Sequence, residues 1–249
     1  LGLLLALPVG LVFYRAFEHG LVAFWEAVTT PEAMHAFYLT CVMVAIAVPL
    51  NTLFGVLCGL VLVRQSFRGK AILNAAIDLP FAVSPVVIGL ALILVYGRDG
   101  WIGDVLIDNG IRVIFSPVGM VLATIFVSLP FVVREVVPVL REIGTEQEQA
   151  AETLGANPWQ TFLRVTLPAI RWGVAYGVVL TTARALGEFG AVSVVSGKLS
   201  GRTETLTLFV EQRFQRFDLT GAYAASVVLA ALALITLLSM NLLRPKEGR

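Results

Sequence analysis

The sequence predicts an all-α integral membrane protein with six transmembrane helices and a helical cytoplasmic insert between spans four and five. Three observations carry this expectation. Of the 249 residues, 57% are hydrophobic and only 14% are charged. A soluble globular chain carries about 25% charged residues, so this one has too little polar surface to cover a water-exposed body. Six apolar stretches come near or exceed the roughly 20 residues that a helix needs to cross a bilayer. Lysine and arginine gather in three connections that an even number of spans separates, which sets one orientation.

The first stretch is Leu1–Phe17. The chain opens on leucine rather than methionine and this run is short, so the first span is expected to lack its start. The connection Glu18 to Tyr38 holds no Lys or Arg, as expected of an outer loop. The second span is Leu39–Val63, followed by Arg64, Arg68 and Lys70 in one short loop. The third is Ala71–Tyr96. Asp78 lies inside it, and Pro80 and Pro85 are expected to kink it and free backbone groups beside Ser84.

The next outer loop sets Arg98 and Arg112 against Asp99, Asp104 and Asp108. The fourth span is Val118–Val137, with Arg134-Glu135 near its inner end. That dipeptide is expected at the interface around the insert. The fifth span is Trp172–Ser196 and the sixth Thr220–Leu243. Arg134, Arg141, Arg164 and Arg171 flank the insert, and Arg244, Lys246 and Arg249 form the tail. The insert and the C-terminus are therefore placed in the cytoplasm. The last outer loop dissents with Lys198, Arg202, Arg213 and Arg216. In it, Leu206, Phe209, Val210, Phe214 and Phe217 recur at near-helical spacing. That pattern reads as a short helix, either packed on the bundle or acting as a gate.

The insert is the informative part. Thr145 and Glu148 have the spacing of a capping box. Gly155 is expected to stop that helix in the left-handed conformation. Asn157-Pro158 then starts a second helix, with Asn as N-cap and Pro as first residue. Trp159, Phe162, Leu163 and Leu167 fall on one face of it, and Pro168 is expected to close the unit. Two readings stay open on these residues alone: an amphipathic connector on the headgroups, or a docking surface with apolar anchors and a charged rim.

Arg184 and Glu188 fall near the middle of the fifth stretch. Each charge costs about 2.5–3.5 kcal/mol at a helix centre. At i and i+4 they can pair, either as an internal lock or as a gate element. Asp78 is read either as bonded to a neighbouring helix or as part of a polar path with Ser84. Gly173, Gly177, Gly187 and Gly190 suit close helix packing, and they also suit movement.

Several chemistries lack their residues. No phosphate-binding G-x-x-x-x-G-K-[ST] occurs; Gly69-Lys70 and Gly197-Lys198 lack the rest of it. The two histidines, His19 and His35, are not spaced as metal ligands, and no nucleophile–base grouping stands out. No catalytic or metal-ligating residue is expected. Cys41 and Cys58, if on one helix, are about 25 Å apart and cannot bridge. The net charge of +1 excludes a basic nucleic-acid-binding surface.

The segment Ala150–Pro168 resembles the "EAA" signature of binding-protein-dependent ABC importers: Glu-Ala-Ala, three residues, Gly, nine residues, Ile-x-Leu-Pro. Ala150, Ala151, Gly155, Leu167 and Pro168 match, while Gln149 stands for the Glu and Val165 for the Ile. The stretches Asp78–Val87, Pro130–Leu140 and Ala183–Gly197 resemble sulfate/thiosulfate permease subunits of the CysW type. The resemblance spans nearly the whole chain and implies a single permease domain over 1–249 in the bacterial inner membrane.

It also implies that Gln149, Ala150, Ala151, Glu152, Gly155, Trp159, Phe162, Leu163, Leu167 and Pro168 form coupling helices that dock on an ATPase. Asp78, Ser84, Arg184 and Glu188 become pathway or gate candidates. The implied partners are an ATP-binding cassette ATPase dimer, a second homologous permease chain, a periplasmic sulfate/thiosulfate-binding protein and the lipid bilayer. ATP and Mg would sit on the partner ATPase, with no cofactor in this chain. The implied mechanism is alternating access, with the insert moving as a rigid body about Gly155 and Pro168. Two alternatives are a molybdate or tungstate permease, which pairs with a copy of itself, and an ion-coupled secondary anion carrier.

Overall fold

A computed structural model describes residues 2–243. The basic tail residues Arg244, Lys246 and Arg249, and Leu1 at the start of the first stretch, lie outside the described residues. The elements run α1 (Gly2–Phe17), α2 (Gly20–Val28), α3 (Pro31–Arg64), α4 (Lys70–Ala82), α5 (Pro85–Tyr96), α6 (Gly103–Asp108) and α7 (Pro117–Ile143). The insert is α8 (Glu146–Thr153), α9 (Pro158–Thr161) and a π-helical turn, Phe162–Thr166. Then follow α10 (Leu167–Leu186), α11 (Gly190–Val195), α12 (Leu206–Gln215) and α13 (Leu219–Leu243).

The all-α membrane architecture stands, but the expected six spans do not. Four helices among the described residues are long and apolar enough to cross a bilayer: Pro31–Arg64, Pro117–Ile143, Pro158–Leu186 and Leu219–Ser239. A fifth crossing exists only if α4 and α5, bent by 114° at their junction, are counted as one span. The break is local chemistry. Pro85 disfavours helical geometry in the residue before it, and Val83 and Ser84 are both extended, at ψ 136° and 135°. Hydropathy runs straight through such a break, so the third stretch looked continuous. The first stretch is not among the four: its described part is α1. Helix α1 has 16 residues, or about 24 Å against a hydrocarbon core near 30 Å. The chain then turns at Gly20, with φ +89°, into α2.

The fifth span is shifted rather than lost. It begins at Pro158 inside the insert and ends at Leu186. Pro168 does not close the insert. The π turn lets the amide of Leu167 reach back to the carbonyl of Phe162. This wider turn accommodates the proline ring, which would clash with the carbonyl four residues earlier in a regular α-helix.

Helix α7 is the centre of the bundle, packing against α3, α10, α11, α4 and α5. Its closest contacts use glycine. A methyl on Gly55 of α3 would lie 2.5 Å from Cβ of Val132, and one on Gly177 of α10 would lie 2.8 Å from Cα of Val132. Gly173 similarly faces the Glu135 carbonyl at 3.0 Å, and Gly190 faces Pro85 at 2.8 Å. The packing reading holds for these three predicted glycines. Gly187 differs: nothing approaches closer than 3.8 Å, and it ends α10. Asn51, fully buried on α3, donates to the Ile125 carbonyl at 3.1 Å and to Ser128 Oγ at 2.8 Å, both on α7.

The short helix expected in the last outer loop is α12. Leu206 and Phe209 are buried, with Val210 partly so, in one cluster with Ala33, Ala36 and Ala225 from α3 and α13. Phe214 and Phe217 remain exposed. The amide of Leu206 donates to Thr40 Oγ1 on α3 at 2.9 Å.

Candidate functional site

The insert folds from local signals. Helix α8 ends in a double hydrogen bond: the Gly155 amide donates to the Glu152 carbonyl at 2.9 Å, and the Ala156 amide to the Ala151 carbonyl at 3.0 Å. Gly155 sits at φ +85°, which a side chain would oppose. Asn157 then caps α9. Its Oδ1 accepts from the Gln160 amide at 2.8 Å, while Gln160 Oε1 accepts from the Asn157 amide at 3.1 Å. Stop and start signals occupy three consecutive residues, so the bend is fixed by hydrogen bonds on both sides.

The capping box expected at Thr145 is absent. Thr145 is nearly helical, at φ −116° and ψ −2°, and its side chain makes no cap. Glu148 is drawn away. Its Oε2 lies 2.9 Å from Arg64 Nε, and its Oε1 accepts from Thr166 Oγ1 at 2.8 Å. Both Arg64 and Glu148 were missed as site residues. A sequence reading pairs Glu148 with its near neighbour, and Arg64 counts there only as one positive charge.

The apolar face of the insert is split. Trp159 is 67% exposed and Leu163 42%, while Phe162 and Leu167 turn inward against the core around Val136, Leu140 and Ile170. Leu154, which the sequence reading did not single out, is 88% exposed. Gln149, Ala150, Glu152, Gly155 and Pro168 are exposed, and Ala151 is partly buried. Between α8 and the following turn lies a shallow open hollow lined by Ala150, Ala151, Leu154, Arg164, Val165 and Pro168. Bare leucine and tryptophan, two alanines with little bulk and an arginine rim suit the docking of another protein's surface.

The charged candidates fall into two pairs. Arg184 Nη1 lies 2.7 Å from Glu188 Oε2, so the i, i+4 pairing is present. It is not at mid-span. Leu186 ends α10, and Glu188 lies in the break before α11 with its carboxylate buried. Its Oε1 accepts from the Ala191 amide at 3.0 Å, and its carbonyl accepts from Thr207 Oγ1 at 2.9 Å. Asp78 meets Arg134: Nε to Oδ1 at 2.8 Å, and Nη2 to Oδ2. Arg134 therefore serves α4 rather than the insert, contrary to expectation. Ser84 is exposed at the N-terminus of α5 and makes no cap. No group of three or more metal-ligating side chains occurs among the described residues.

The family model of the binding-protein-dependent transport system inner membrane component matches residues 51–249. The chain belongs to that family. A sulfate transport system permease protein CysW of Synechococcus elongatus is 53% identical over 248 residues, 100% of this chain and 87% of the relative. The sulfate transport system permease protein CysT of Escherichia coli is 38% identical over 247 residues, 99% of this chain and 89% of the relative. Among solved structures, a bacterial ABC transporter involved in the import of the acidic polysaccharide alginate superposes with a TM-score of 0.76. It shares 17% identity over 94% of this chain and 86% of that one. At that identity the likeness is one of fold. Within the family, this chain is a multi-pass, non-catalytic membrane subunit.

Proposed function

We propose that the chain is the permease subunit of an ATP-driven importer of sulfate or thiosulfate. It forms the translocation pathway with a second, different permease chain. A separate ATPase pair supplies the energy, and an extracytoplasmic binding protein delivers the anion. The anion class rests on the 53% identity to a sulfate permease across the whole chain. Similarity to both CysW and CysT chains, at 53% and 38%, favours two distinct permease chains over a pair of identical ones.

The observation that carries the coupling role is the insert. It is rigid, closed by hydrogen bonds at Gly155 and Asn157, and it presents Leu154, Trp159 and Leu163 to solvent. A membrane-surface connector has no need of a bend fixed in this way. A partner that pushes on the insert needs one, because a compliant insert would absorb the displacement. The insert and the C-terminus are assigned to the cytoplasm because Arg64, Arg68, Lys70, Arg141, Arg164 and Arg171 gather at this end. The pathway candidates remain Asp78, Ser84, Arg184 and Glu188.

The test is purification of the chain from its native membrane in mild detergent, with mass spectrometry of what stays bound. An ATP-binding subunit together with a different permease chain is the expected result. An ATPase with this permease alone points to a pair of identical permease chains. Anion transport by the reconstituted chain without any ATPase would overturn the proposal.

A further inference from the structure

Helix α3 is not a neighbour of the insert in the chain, yet its last residue is bonded into it. Arg64 Nη1 donates to the Leu140 carbonyl at 3.1 Å, and Nη2 donates to the Gly144 carbonyl at 2.6 Å and to Glu148 Oε1 at 3.1 Å. Nε lies 2.9 Å from Glu148 Oε2, close enough for the ion pair but without a hydrogen bond of its own. Thr166 Oγ1, in the π turn, holds the same carboxylate at 2.8 Å. Both side chains are 18% exposed. One guanidinium thus joins the end of α3, the carbonyls at the end of α7 and the first turn of α8, and through Glu148 the root of α10.

The chemistry fits the position. The last carbonyls of a helix lack intrahelical donors and carry partial negative charge. Arginine brings five donors in a planar fork, so it can satisfy two carbonyls and a carboxylate together. A lysine offers a point charge without that geometry. Among the described residues, Arg64–Glu148 is the one ion pair between the insert and the spans.

We propose that Arg64 is the positioning residue that fixes the insert to α3 and α7, so that a displacement of α8 moves α3, α7 and α10 as one body. This rests on the coupling role proposed above. The packing above the latch agrees with it. Gly55 and Gly59 of α3 and Gly173 and Gly177 of α10 leave no room beside α7, with added methyls meeting Val132, Val136 and Glu135 at 2.5–3.1 Å. Helices packed this closely transmit strain rather than slide. Without Arg64 the insert still reaches α7 and α10 through the chain itself and through Phe162 and Leu167, but its bonded link to α3 is gone.

The test uses the complete importer, with its partner chains, reconstituted in vesicles. Anion imported and ATP hydrolysed are measured together for wild type, Arg64→Gln, Arg64→Lys and Glu148→Gln. The Gln variants are expected to retain the ATPase and hydrolyse ATP, while ATP spent per anion rises roughly 5-fold or more, the lower end of couplings between linked sites. Arg64→Lys falls between wild type and Arg64→Gln. If Arg64→Gln does not assemble, the result is read on Glu148→Gln, which is nearly isosteric. An unchanged ATP-to-anion ratio in an assembled Gln variant overturns the latch and leaves the coupling role intact. Failure of the wild-type chain to hold an ATPase overturns the coupling role itself.

Discussion

Replacing Gly177 by alanine places a methyl carbon 2.8 Å from Cα of Val132 and 3.3 Å from its Cβ and Cγ2, where ordinary contact begins at 3.4 Å. The obstacle is backbone, so no side-chain rotation relieves it. Helix α7 cannot retreat either, because Gly55 of α3 already closes on Val132 from another side. Helix α10 must move outward by about 0.6 Å or more. Overpacking of this kind costs about 1–3 kcal/mol, set against a gain of up to about 1 kcal/mol from alanine's helix propensity. Gly10→Ala, inside α1, is the control. It makes the same chemical change in a helix, with no atom within 4 Å of the added methyl. Comparing the two variants therefore isolates the clash at about 1–3 kcal/mol. Thermal melts of the purified chain in one detergent read the difference, at roughly 2–4 °C per kcal/mol for a chain of this size. Gly177→Ala is expected to melt below Gly10→Ala by about 2–12 °C. Equal melting temperatures, or the reverse order, would refute the close-packed account of α7 and α10.

At Gly155 no atom lies within 4 Å of an added methyl, so the cost of Gly155→Val is conformational, about 1–2 kcal/mol at φ +85°; import should fall while the chain still inserts, and normal uptake would sink the role of the bend. For Arg184 and Glu188, the double replacement by Gln should lower uptake less than the two single losses combined, because each single change strands the other charge; strictly additive losses argue against the pair. Glu204 lies in the connection before α12, buried with neither carboxylate oxygen hydrogen-bonded. Burial pushes its carboxyl up from the ordinary value, against the opposing pull of the nearby Ser200 hydroxyl and of Arg213 and Arg216. A raised folded value means that the folded state keeps a proton that the unfolded state releases, so this stability is full below the unfolded value near 4.3 and is lost as pH rises through the folded one. Melting temperature measured against pH should therefore decline more steeply in wild type than in Glu204→Gln; parallel curves would show that Glu204 does not titrate on unfolding.

What the sequence made legible is local in the chain. The stop at Gly155 and the start at Asn157-Pro158 depend on neighbours within four residues, and the structure places both as expected. So does the Arg184–Glu188 spacing. Glu148 was legible only as a capping residue, because its partner Arg64 lies 84 positions away and no pattern links them. The count of spans failed where hydropathy is blind to backbone geometry. Val83 and Ser84 are apolar or small, and only the proline after them signals the break. Pro168 misled in the opposite direction. It marks a helix end in most contexts, yet here a π turn lets the helix run through it. Leu154 was overlooked because it follows the apolar pattern of neither helix; it is bare because it lies at the bend itself.

The two ion pairs bear on how an anion could pass. Asp78 lies 8 residues from the start of α4 and Arg134 lies 9 from the end of α7, or about 12–14 Å in from the end that carries the insert. Both side chains are more than a third exposed on the lone chain. Charges at such a depth do not face lipid, so this side of α4 and α7 borders protein or water in the assembled molecule. Arg184 stands 17 residues beyond Leu167, about 25 Å along α10. Each arginine is already paired, one with Asp78 and the other with Glu188. Neither offers an unbalanced positive charge to an anion on the proposed pathway. A bare arginine in a dry passage would hold such an ion strongly and slow its release. Paired arginines leave weak, evenly matched contacts, and a route built that way favours release over retention. Along the proposed pathway, these two pairs therefore give the anion little to hold it and let it pass on.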